Sequence, residues 1–566
     1  MIRKVEDVKA RRGADVLLDV LRSEGVDYIF GNPGTTELPL MDALGAAGDI
    51  GYILALQEAS AVAMADGYAQ AAGKPGFLNL HTAGGLGHGM GNLLNASVSQ
   101  TPLVVTAGQQ DSRHTITDPL LFGDLVQLAR PAVKWAQEVT HADQLPILIR
   151  RALHDANAAP SGPTFLSLPM DVMEEMSAVD VGETSTVDHR SVAGSLDRLA
   201  DHLAAIEPGR LAIIAGDEIH HSGAAAEAVA LAEMLGAPVF GSSWPSRIPF
   251  PTSHDLWSGN LPTKASAIAE QLCEYDALFA LGGKSLITIL YTEGSAVPPG
   301  CEVFQMSADV RDLGRTYRTK LSVVGDIRAS LSAFLPILAQ RTGAKAGAYA
   351  ARREILAAAR QARRHQLEAQ AQIEAGAVGA KAGAITPLVA AREAVRAIGP
   401  DIAIVDEALA TAAHVRAFLD SSWPRQYSHL RGGALGWGMP AAVGCSLGLD
   451  RQPVVCLAGD GAALYSPQAM WTAAHERLPV TFVIMNNREY GVLKNFMRGQ
   501  AHYASARSGN FLAMDLTDPP IDYLAMAQMM GLPARRIERA TDLAGAIEAG
   551  IAGGGPNLIE VIISAG

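Results

Sequence analysis

The chain has 566 residues, of which 49% are hydrophobic and 18% are charged, and its formal net charge is −13. This length exceeds what one hydrophobic core supports, and the composition is that of a folded protein rather than a disordered one. The excess of acidic residues disfavours binding to nucleic acid or to anionic membranes. The four cysteines form no CxxC pair, so neither a zinc site nor a disulfide framework is indicated.

The first segment of the chain is charged and leads into an amphipathic helix, predicted at 14–24, rather than into the apolar part of a cleavable signal. No apolar run approaches the ~20 residues that are needed to cross a bilayer. We therefore predict a cytoplasmic protein that acts on a small molecule and binds neither nucleic acid nor membrane.

Short β-branched runs alternate with longer amphipathic stretches, a pattern typical of parallel α/β sheets. The predicted strands lie at 28–30, 53–56, 76–80, 103–107 and 164–168, then at 211–214, 237–240, 277–281 and 302–306, and finally at 402–405, 454–458, 480–485 and 558–563. They indicate three doubly wound α/β domains, at 1–180, 195–340 and 385–566. An Ala- and Arg-rich stretch at 341–384 is predicted to be a helical linker that ends in a flexible connector.

The most informative segment begins at the strand 454–458, whose carboxyl end carries Gly459-Asp460-Gly461. Ligands of open α/β sheets bind at this end of the strands. The next strand, 480–485, leads directly into Asn486-Asn487. Carboxylate and amide oxygens suit Mg²⁺, and the glycines allow backbone N–H groups to approach a diphosphate. A lone Gly-Asp-Gly is usually a simple turn, but these two strands and the Asn pair favour a metal and diphosphate site.

A second candidate residue is Glu58, which opens a helix so rich in Ala, Val and Met that the helix must be largely buried. A glutamate at a helix start commonly has only a structural role, because the helix dipole favours it. The alternative is a functional carboxylate in an apolar pocket.

Gly459-Asp460-Gly461, 24 intervening residues and Asn486-Asn487 resemble the signature of thiamine-diphosphate-dependent enzymes of the acetolactate synthase and decarboxylase type. The resemblance implies that Asp460, Asn487 and the backbone carbonyl of Glu489 hold Mg²⁺ against the diphosphate. Glu58 resembles the glutamate that activates the aminopyrimidine. The family has a pyrimidine-binding, a middle and a diphosphate-binding domain, and its cofactor lies between the first domain of one subunit and the last domain of another. This implies a homodimer at least, and we expect a homotetramer.

Several segments narrow the resemblance to the benzoylformate decarboxylase branch; they are 30–39, 80–84, 106–110, 130–135, 249–252 and 471–474. The linker after residue 340 falls outside it. By this resemblance, Thr35 replaces a serine that contacts the substrate carboxylate, and His81 matches a histidine that transfers protons. Turn stabilisation by Thr35 and capping by His81 are the structural alternatives.

The same resemblance implies that the Gly433 carbonyl accepts a hydrogen bond from the cofactor's 4′-amine and that Leu435 supports its bent shape. The residues expected around the diphosphate are Gly459, Gly461, Ala462, Glu407, Tyr490 and Gly491. Those expected on the substrate side are Leu120, Leu121, Val492 and Phe496, although such apolar residues are as often ordinary core.

The sequence departs from the branch at the place of its second catalytic histidine. Ile289 stands there, and no histidine occurs from 281 to 314. General acid–base catalysis typically contributes about 10²–10⁴-fold, so the step that forms an aldehyde needs another proton donor. Candidates are His88, which replaces an asparagine near the cofactor, His114 and His502.

The diphosphate site departs from the branch as well. Hydroxyl groups expected there are replaced by Ala462, Ala408 and Leu409. Backbone N–H groups and Thr411 are left to contact the diphosphate.

Three functions remain open from the sequence. The first is decarboxylation of a 2-keto acid, in which the thiamine carbanion adds to the keto carbon, CO₂ leaves and the enamine is protonated to release an aldehyde. The second is a carboligase or an aldehyde or hydroxyacyl lyase, which shares the first steps but whose enamine attacks a second carbonyl. The loss of the histidine favours it, because slow protonation leaves the carbanion free to attack carbon. The third is a non-catalytic cofactor-binding relative, which the presence of Glu58, Asp460 and Asn487 disfavours. FAD is not expected, since the middle domain resembles the flavin-free branch.

Overall fold

The computed structural model describes residues 9–380, 385–422 and 426–565, and gives no side-chain description for 377–380. It contains three parallel six-stranded sheets, each covered by helices, which confirms the predicted α/β fold class. The end of the predicted linker, 381–384, lies outside the described residues. None of the described helices is both long enough and apolar enough to cross a membrane.

The first sheet has the strand order β3-β2-β4-β5-β7-β6. A small antiparallel pair joins β1, before this sheet in the chain, to β8, after it. Its strands are β1 (Arg11–Arg12), β2 (Tyr28–Gly31), β3 (Gly51–Leu54), β4 (Gly76–His81), β5 (Leu103–Gln109), β6 (Ala136–Glu138), β7 (Thr164–Pro169) and β8 (Met176–Ser177). Its helices are α1 (Gly13–Ser23), α2 (Leu38–Ala47), α3 (Glu58–Ala72), α4 (Thr82–Val98), α5 (Leu125–Ala129), α6 (Leu145–Asn157) and α7 (Met170–Glu174).

The middle sheet has the order β11-β10-β9-β12-β13-β14, in which the direction of winding reverses between β9 and β12. Its strands are β9 (Leu211–Ala215), β10 (Val239–Gly241), β11 (Trp257–Asn260), β12 (Ala277–Leu281), β13 (Glu302–Ser307) and β14 (Leu321–Val324). Its helices are α8 (Leu196–Ala205), α9 (Glu218–His221), α10 (Ala225–Leu235), α11 (Ala265–Gln271) and α12 (Ile327–Thr342). The long helix α13 (Ala346–Ala380) then runs to the last domain and buries Tyr349, Leu356 and Ala371 in the core.

The last sheet has the order β16-β15-β17-β18-β20-β19, which repeats the topology of the first. Its strands are β15 (Ala403–Glu407), β16 (Tyr427–His429), β17 (Val454–Gly459), β18 (Val480–Asn486), β19 (Ala534–Ile537) and β20 (Asn557–Ile562). Its helices are α14 (Pro387–Ile398), α15 (Ala412–Phe418), α16 (Gly438–Gly448), α17 (Asp460–Ala463), α18 (Ala469–His475), α19 (Gly491–Arg498), α20 (Ala504–Ser508), α21 (Tyr523–Met529) and α22 (Ala540–Ala552).

The first and last domains pack directly on each other through α3 and α16. A Cβ atom on Gly444 would lie 1.8 Å from the carbonyl oxygen of Met64, so the two helices approach backbone to backbone. The indole N–H of Trp437 donates to the buried carboxylate of Asp66 at 2.7 Å across the same interface. This packing fixes Glu58, at the start of α3, relative to the loop that precedes α16.

Candidate active site

Asp460 lies at the carboxyl end of β17, as the first residue of α17. Its side chain is buried; Oδ1 accepts a hydrogen bond from the Gly461 N–H at 2.8 Å, while Oδ2 has no hydrogen-bond partner among the described residues. Burial raises the pKa of Asp460 to about 6. A buried carboxylate oxygen without a partner is costly unless a cation or a donor reaches it. This oxygen therefore fits a metal ion.

The turn after β18 supplies the other oxygen donors. β17 and β18 are neighbours in register, with Gly459 opposite Met485, so Asn487 follows β18 at the same sheet edge as Asp460. The Asn487 amide oxygen accepts from the Glu489 N–H at 3.2 Å, and the backbone N–H groups of this turn also stabilise the Asp460 carboxylate. One carboxylate, one amide and a main-chain carbonyl form the hard oxygen set that Mg²⁺ takes, with phosphate oxygens and water completing its shell.

The side chain of Glu489 forms an ion pair with Lys494. Its Oε2 pairs with Nζ of Lys494 at 2.5 Å, and Lys494 also contacts Asp515 at 2.5 Å. In the described part of the chain, no group of three or more His, Cys, Asp or Glu side chains could hold a metal ion. A site at Asp460 therefore depends on amide and backbone oxygens.

A cavity of about 260 Å³ opens beside Asp460. The residues predicted from the sequence that line it are Glu407, Leu435, Gly459, Gly461, Ala462, Asn487, Glu489, Tyr490, Gly491 and Val492. A Cβ atom on Gly461 would lie 2.7 Å from the Tyr490 ring, and one on Gly491 would lie 2.6 Å from the Asn487 amide nitrogen. The glycines thus allow the Tyr490 ring and the Asn487 amide to pack closely in the wall of the cavity. Thr411 also lines it, but its hydroxyl donates to the Ala408 carbonyl at 3.0 Å.

Glu407 organises the loop expected to contact the aminopyrimidine. Its two carboxylate oxygens accept from the backbone N–H groups of Gly436 (2.7 Å), Trp437 (3.2 Å) and Gly438 (2.7 Å). Burial raises the pKa of Glu407 to about 7, and the three N–H donors oppose that shift. The Glu407 carboxylate lines the cavity, and it also holds the loop that carries Gly433 and Leu435 in place.

The same loop is held from the first domain. The Asn95 side chain on α4 donates to the Ala434 carbonyl at 2.8 Å and accepts from its N–H at 3.0 Å. Gly433, next to Ala434, has a φ of +85°, a left-handed conformation that favours glycine. Its carbonyl direction is therefore set by backbone and by Asn95.

Glu58 is the first residue of α3, and its side chain is buried beside Gly85 of α4. Oε1 accepts from the Asn32 amide at 3.2 Å, and Oε2 lies 3.1 Å from Nδ1 of His88. The side chain of His88 is 65% exposed. This histidine therefore contacts the buried Glu58 carboxylate and reaches solvent at the surface of α4. Of the three histidine candidates, the structure brings His88 to Glu58 and leaves His114 and His502 in exposed loops.

His81 ends β4 and occupies the N-cap position of α4, but its side chain makes no capping hydrogen bond. It belongs instead to a cluster that the sequence did not reveal. Its Nδ1 donates to Oε2 of the buried Glu37 at 2.8 Å and lies 3.1 Å from the Thr36 hydroxyl. The hydrogen bond to Glu37 raises the pKa of His81, which keeps its proton to higher pH. Thr35, beside this cluster, is exposed. The only sequence signal for Glu37 was an acidic residue three positions after the Pro33-Gly34 turn and directly before an apolar helix.

The predicted substrate-side residues fall into two groups. Val492 and Phe496 line a cavity of about 1000 Å³ that also contains Ile289 and Gly433. Leu120 and Leu121 lie in an exposed loop before α5 and do not line that cavity.

The cavity at Asp460 and the carboxylate of Glu58 are built by different domains. The cavity at Asp460 is lined by residues of the last domain, and Glu58 is not among them. Its carboxylate instead bonds Asn32 and His88 of the first domain.

Comparison with known proteins matches all three domains. Residues 11–131 match the N-terminal TPP binding domain of thiamine pyrophosphate enzymes, residues 196–334 the central domain, and residues 410–561 the C-terminal TPP binding domain.

The relatives span the whole chain. A benzoylformate decarboxylase of Pseudomonas aeruginosa is 31% identical and covers 96% of this chain and 97% of its own. An acetolactate synthase large subunit of Parasynechococcus marenigrum is 27% identical, over 98% and 88%. The crystal structure of a benzoylformate decarboxylase from Polynucleobacter necessarius superposes with a TM-score of 0.86 at 28% identity, over 98% and 99%. The chain is a thiamine-pyrophosphate-dependent enzyme, and it belongs to the family that contains benzoylformate decarboxylases and acetolactate synthases.

Proposed function

We propose that this enzyme decarboxylates a 2-oxo acid without oxidation, using thiamine diphosphate and Mg²⁺, and releases an aldehyde. The observation that carries this proposal is the His81–Glu37 pair. Replacing a carboxylate by hydrogen on the former keto carbon requires a proton donor, and Glu37 keeps His81 protonated to higher pH. The similarity to benzoylformate decarboxylases supports the same reaction.

Thiamine diphosphate, when bound, supplies an electron sink for the bond next to the keto group. In our proposal Asp460, Asn487 and the main-chain carbonyl of Glu489 hold Mg²⁺. The unpartnered Oδ2 of Asp460 supports this assignment. The residues proposed to surround the diphosphate are those of the adjoining cavity, namely Gly459, Gly461, Ala462, Tyr490 and Gly491.

At the other end of the site, the buried carboxylate of Glu58 is proposed to hold a proton at the aminopyrimidine. Glu407 orients the loop from which the Gly433 carbonyl and Leu435 are proposed to contact the same ring. Thr35, exposed beside His81, is proposed to contact the carboxylate of the substrate.

We further propose that the active enzyme is at least a homodimer and assembles as a homotetramer. Glu58 lies in the first domain, whereas the cavity at Asp460 is lined by residues of the last domain and does not include Glu58. In our proposal, which follows the family resemblance, the cofactor lies between the first domain of one subunit and the last domain of another. The exposed apolar side chains Leu120, Leu121 and Phe122 provide surface that such a partner could cover.

A second candidate function is carboligation, as in acetolactate synthases. Ile289 supports it, because this apolar side chain lines the cavity beside Gly433 and cannot donate a proton. If protonation by His81 is slow, attack on a second carbonyl compound competes with release of the aldehyde.

The test incubates the purified enzyme with thiamine diphosphate, Mg²⁺ and a panel of aliphatic and aromatic 2-oxo acids. CO₂, aldehyde and acyloin are assayed separately. We expect CO₂ and aldehyde in equal amounts from at least one acid. CO₂ with an acyloin as the main product would favour carboligation, and no CO₂ from any acid would refute both. A yellow protein would contradict our expectation that no FAD is bound.

A further inference from the structure

The cavity of about 1000 Å³ that contains Gly433 has an unusual lining. It lies between the middle domain, α13 and the last domain, and part of its wall is apolar, with Ile289, Val492 and Phe496. The ionisable side chains among the described residues that line it are five arginines, with no Asp, Glu, Lys or His: Arg360, Arg363, Arg364, Arg416 and Arg431. The cavity thus joins an apolar surface to a strongly cationic one.

Three of these arginines come from a helix that the family models leave unmatched. Arg360, Arg363 and Arg364, with Leu367, follow the i, i+3, i+4, i+7 spacing of one helix face, and α13 presents that face to the cavity. The matched central domain ends at residue 334 and the matched C-terminal domain begins at residue 410. These three arginines therefore lie in the linker between the two matched domains.

The positive charge of the three arginines on α13 is only partly balanced by carboxylates. Arg360 and Arg364 share one carboxylate, that of Asp420, at 2.9 and 3.3 Å. Arg363 donates to a neutral acceptor, the Trp257 carbonyl, at 3.2 Å. Among the described residues, the three guanidinium groups on this helix face thus share a single carboxylate.

The last domain adds further positive charge. Arg431 is paired with Asp217 of the middle domain. Arg416 donates to the Tyr427 hydroxyl at 3.1 Å, and that hydroxyl donates to Asp406, so Arg416 reaches a carboxylate only through the phenol. The Nε atom of Arg416 is buried without a hydrogen-bond partner in the described structure. Guanidinium groups that line a cavity with incomplete pairing favour an anionic ligand.

We propose that the substrate is a 2-oxo acid that carries a second anionic group, a carboxylate or a phosphonate-like oxyanion, at the end remote from the keto group. This inference rests on the proposed function. Guanidinium groups bind carboxylates and phosphates through paired N–H donors, which suits Arg363 and Arg416 to that group. The apolar wall at Ile289, Val492 and Phe496 suits the ring or alkyl chain between the two ends.

The first experiment compares matched substrates on the holoenzyme with thiamine diphosphate and Mg²⁺. The pairs are phenylglyoxylate with 4-carboxyphenylglyoxylate, and 2-oxohexanoate with 2-oxoadipate; 4-phosphonophenylglyoxylate distinguishes the two oxyanions. We expect kcat/KM for the acidic members to be at least about tenfold higher, since hydrogen bonds to charged groups are among the stronger ones. Equal or lower values for the acidic members would overturn the proposal.

The second experiment uses Arg363→Gln, Arg416→Gln and the control Arg353→Gln, which lies on the same helix but not in the cavity. Each cavity variant is expected to lose about tenfold more kcat/KM on the acidic member than on the neutral member, mainly through KM. Arg353→Gln is expected to keep the wild-type preference. Because Arg363 is exposed at the surface, its variant should fold even if that of Arg416 does not. An unchanged preference in Arg363→Gln and in any folded Arg416→Gln would contradict the proposal.

If no 2-oxo acid is turned over, the proposed function fails, and the cavity is tested by calorimetry with unreactive probes. Terephthalate should then bind at least about tenfold more tightly than benzoate, and Arg363→Gln should lose that difference. Equal binding of the two probes, or a difference that Arg363→Gln retains, would refute the anionic site.

Discussion

The Nδ1 atom of His81 lies 2.8 Å from Oε2 of Glu37, which is 2% exposed and also accepts from the Gly34 N–H at 2.8 Å. Because the carboxylate can only accept, it fixes Nδ1 as the protonated nitrogen and leaves Nε2 for a reacting group. A histidine held in this way can deliver a proton from one defined atom. The pair is the structural basis for the proposed aldehyde-forming step.

Glu37→Gln should shift the pH dependence of that step. Glu37 raises the pKa of His81, so the amide should lower it, and the basic limb of the kcat profile should move to lower pH. The pair's contribution to folding stability is fully present below the pKa of unfolded histidine, about 6.5, and is lost as pH rises through the folded pKa. Profiles with the same position in both proteins would show that Glu37 does not tune His81.

His81→Ala should lower kcat for aldehyde formation by about 10²–10⁴-fold, the usual range for loss of a general acid. Acyloin formation should fall less, because it needs no proton on the former keto carbon. The measurement is the aldehyde-to-acyloin ratio, with the exposed His114→Ala as control. A ratio equal to that of the wild type would remove His81 from the protonation step.

Glu58→Gln should abolish turnover, with kcat reduced at least about 10²-fold, as expected when a proton-transferring group is lost. The cofactor should remain bound, because the amide keeps the shape and the contact with Asn32. Turnover and calorimetric binding of thiamine diphosphate measure the two effects. Full activity in the variant would refute the proposed placement of the aminopyrimidine.

Asp460→Asn should weaken Mg²⁺-dependent binding of thiamine diphosphate. An amide lacks the charge that the unpartnered Oδ2 offers to a cation, so binding titrated with and without Mg²⁺ should lose most of its metal dependence. The exposed Asp542→Asn, whose carboxylate pairs with Arg539 on the surface, is the matched control. An undiminished metal dependence would place the ion elsewhere.

Gly444→Ala should destabilise the fold, because the new Cβ would lie 1.8 Å from the Met64 carbonyl oxygen on α3. Overpacking of this kind typically costs about 1–3 kcal/mol. Gly347→Ala on α13 meets open space and should stabilise by about 0.5–1 kcal/mol through helix propensity. Urea denaturation measures the free energy of unfolding of both variants. A smaller loss of this free energy in Gly444→Ala than in the control Gly347→Ala would contradict the backbone packing.

The sequence predicted the inner strands of the three sheets better than the edge strands. All the strands predicted inside the three sheets are present, whereas five sheet strands were missed: β6, β11, β14, β16 and β19. Each of the five lies at the edge of its sheet. Edge strands are covered less completely and carry fewer continuous apolar runs, so the apolar pattern that reveals a buried parallel strand is weak there.

The residues of the candidate site could also be predicted only in part. Asp460 and Asn487 could be predicted together, because both follow adjacent parallel strands and the sheet brings their ends to one edge. The contact of His81 with Glu37 could not, since it joins β4 to a turn 44 residues away by tertiary packing. The arginine-lined cavity depends on how α13 lies against two domains, which its Ala- and Arg-rich composition does not specify.

The central claim is tested most directly by the stoichiometry of CO₂ release by the holoenzyme on its preferred 2-oxo acid. Our account predicts one CO₂ and one aldehyde for each acid consumed, and no CO₂ in Glu58→Gln. One CO₂ for every two acids consumed, with a condensed product in place of aldehyde, would show a carboligase of the acetolactate synthase type. Consumption of the acid without CO₂ would contradict the account entirely.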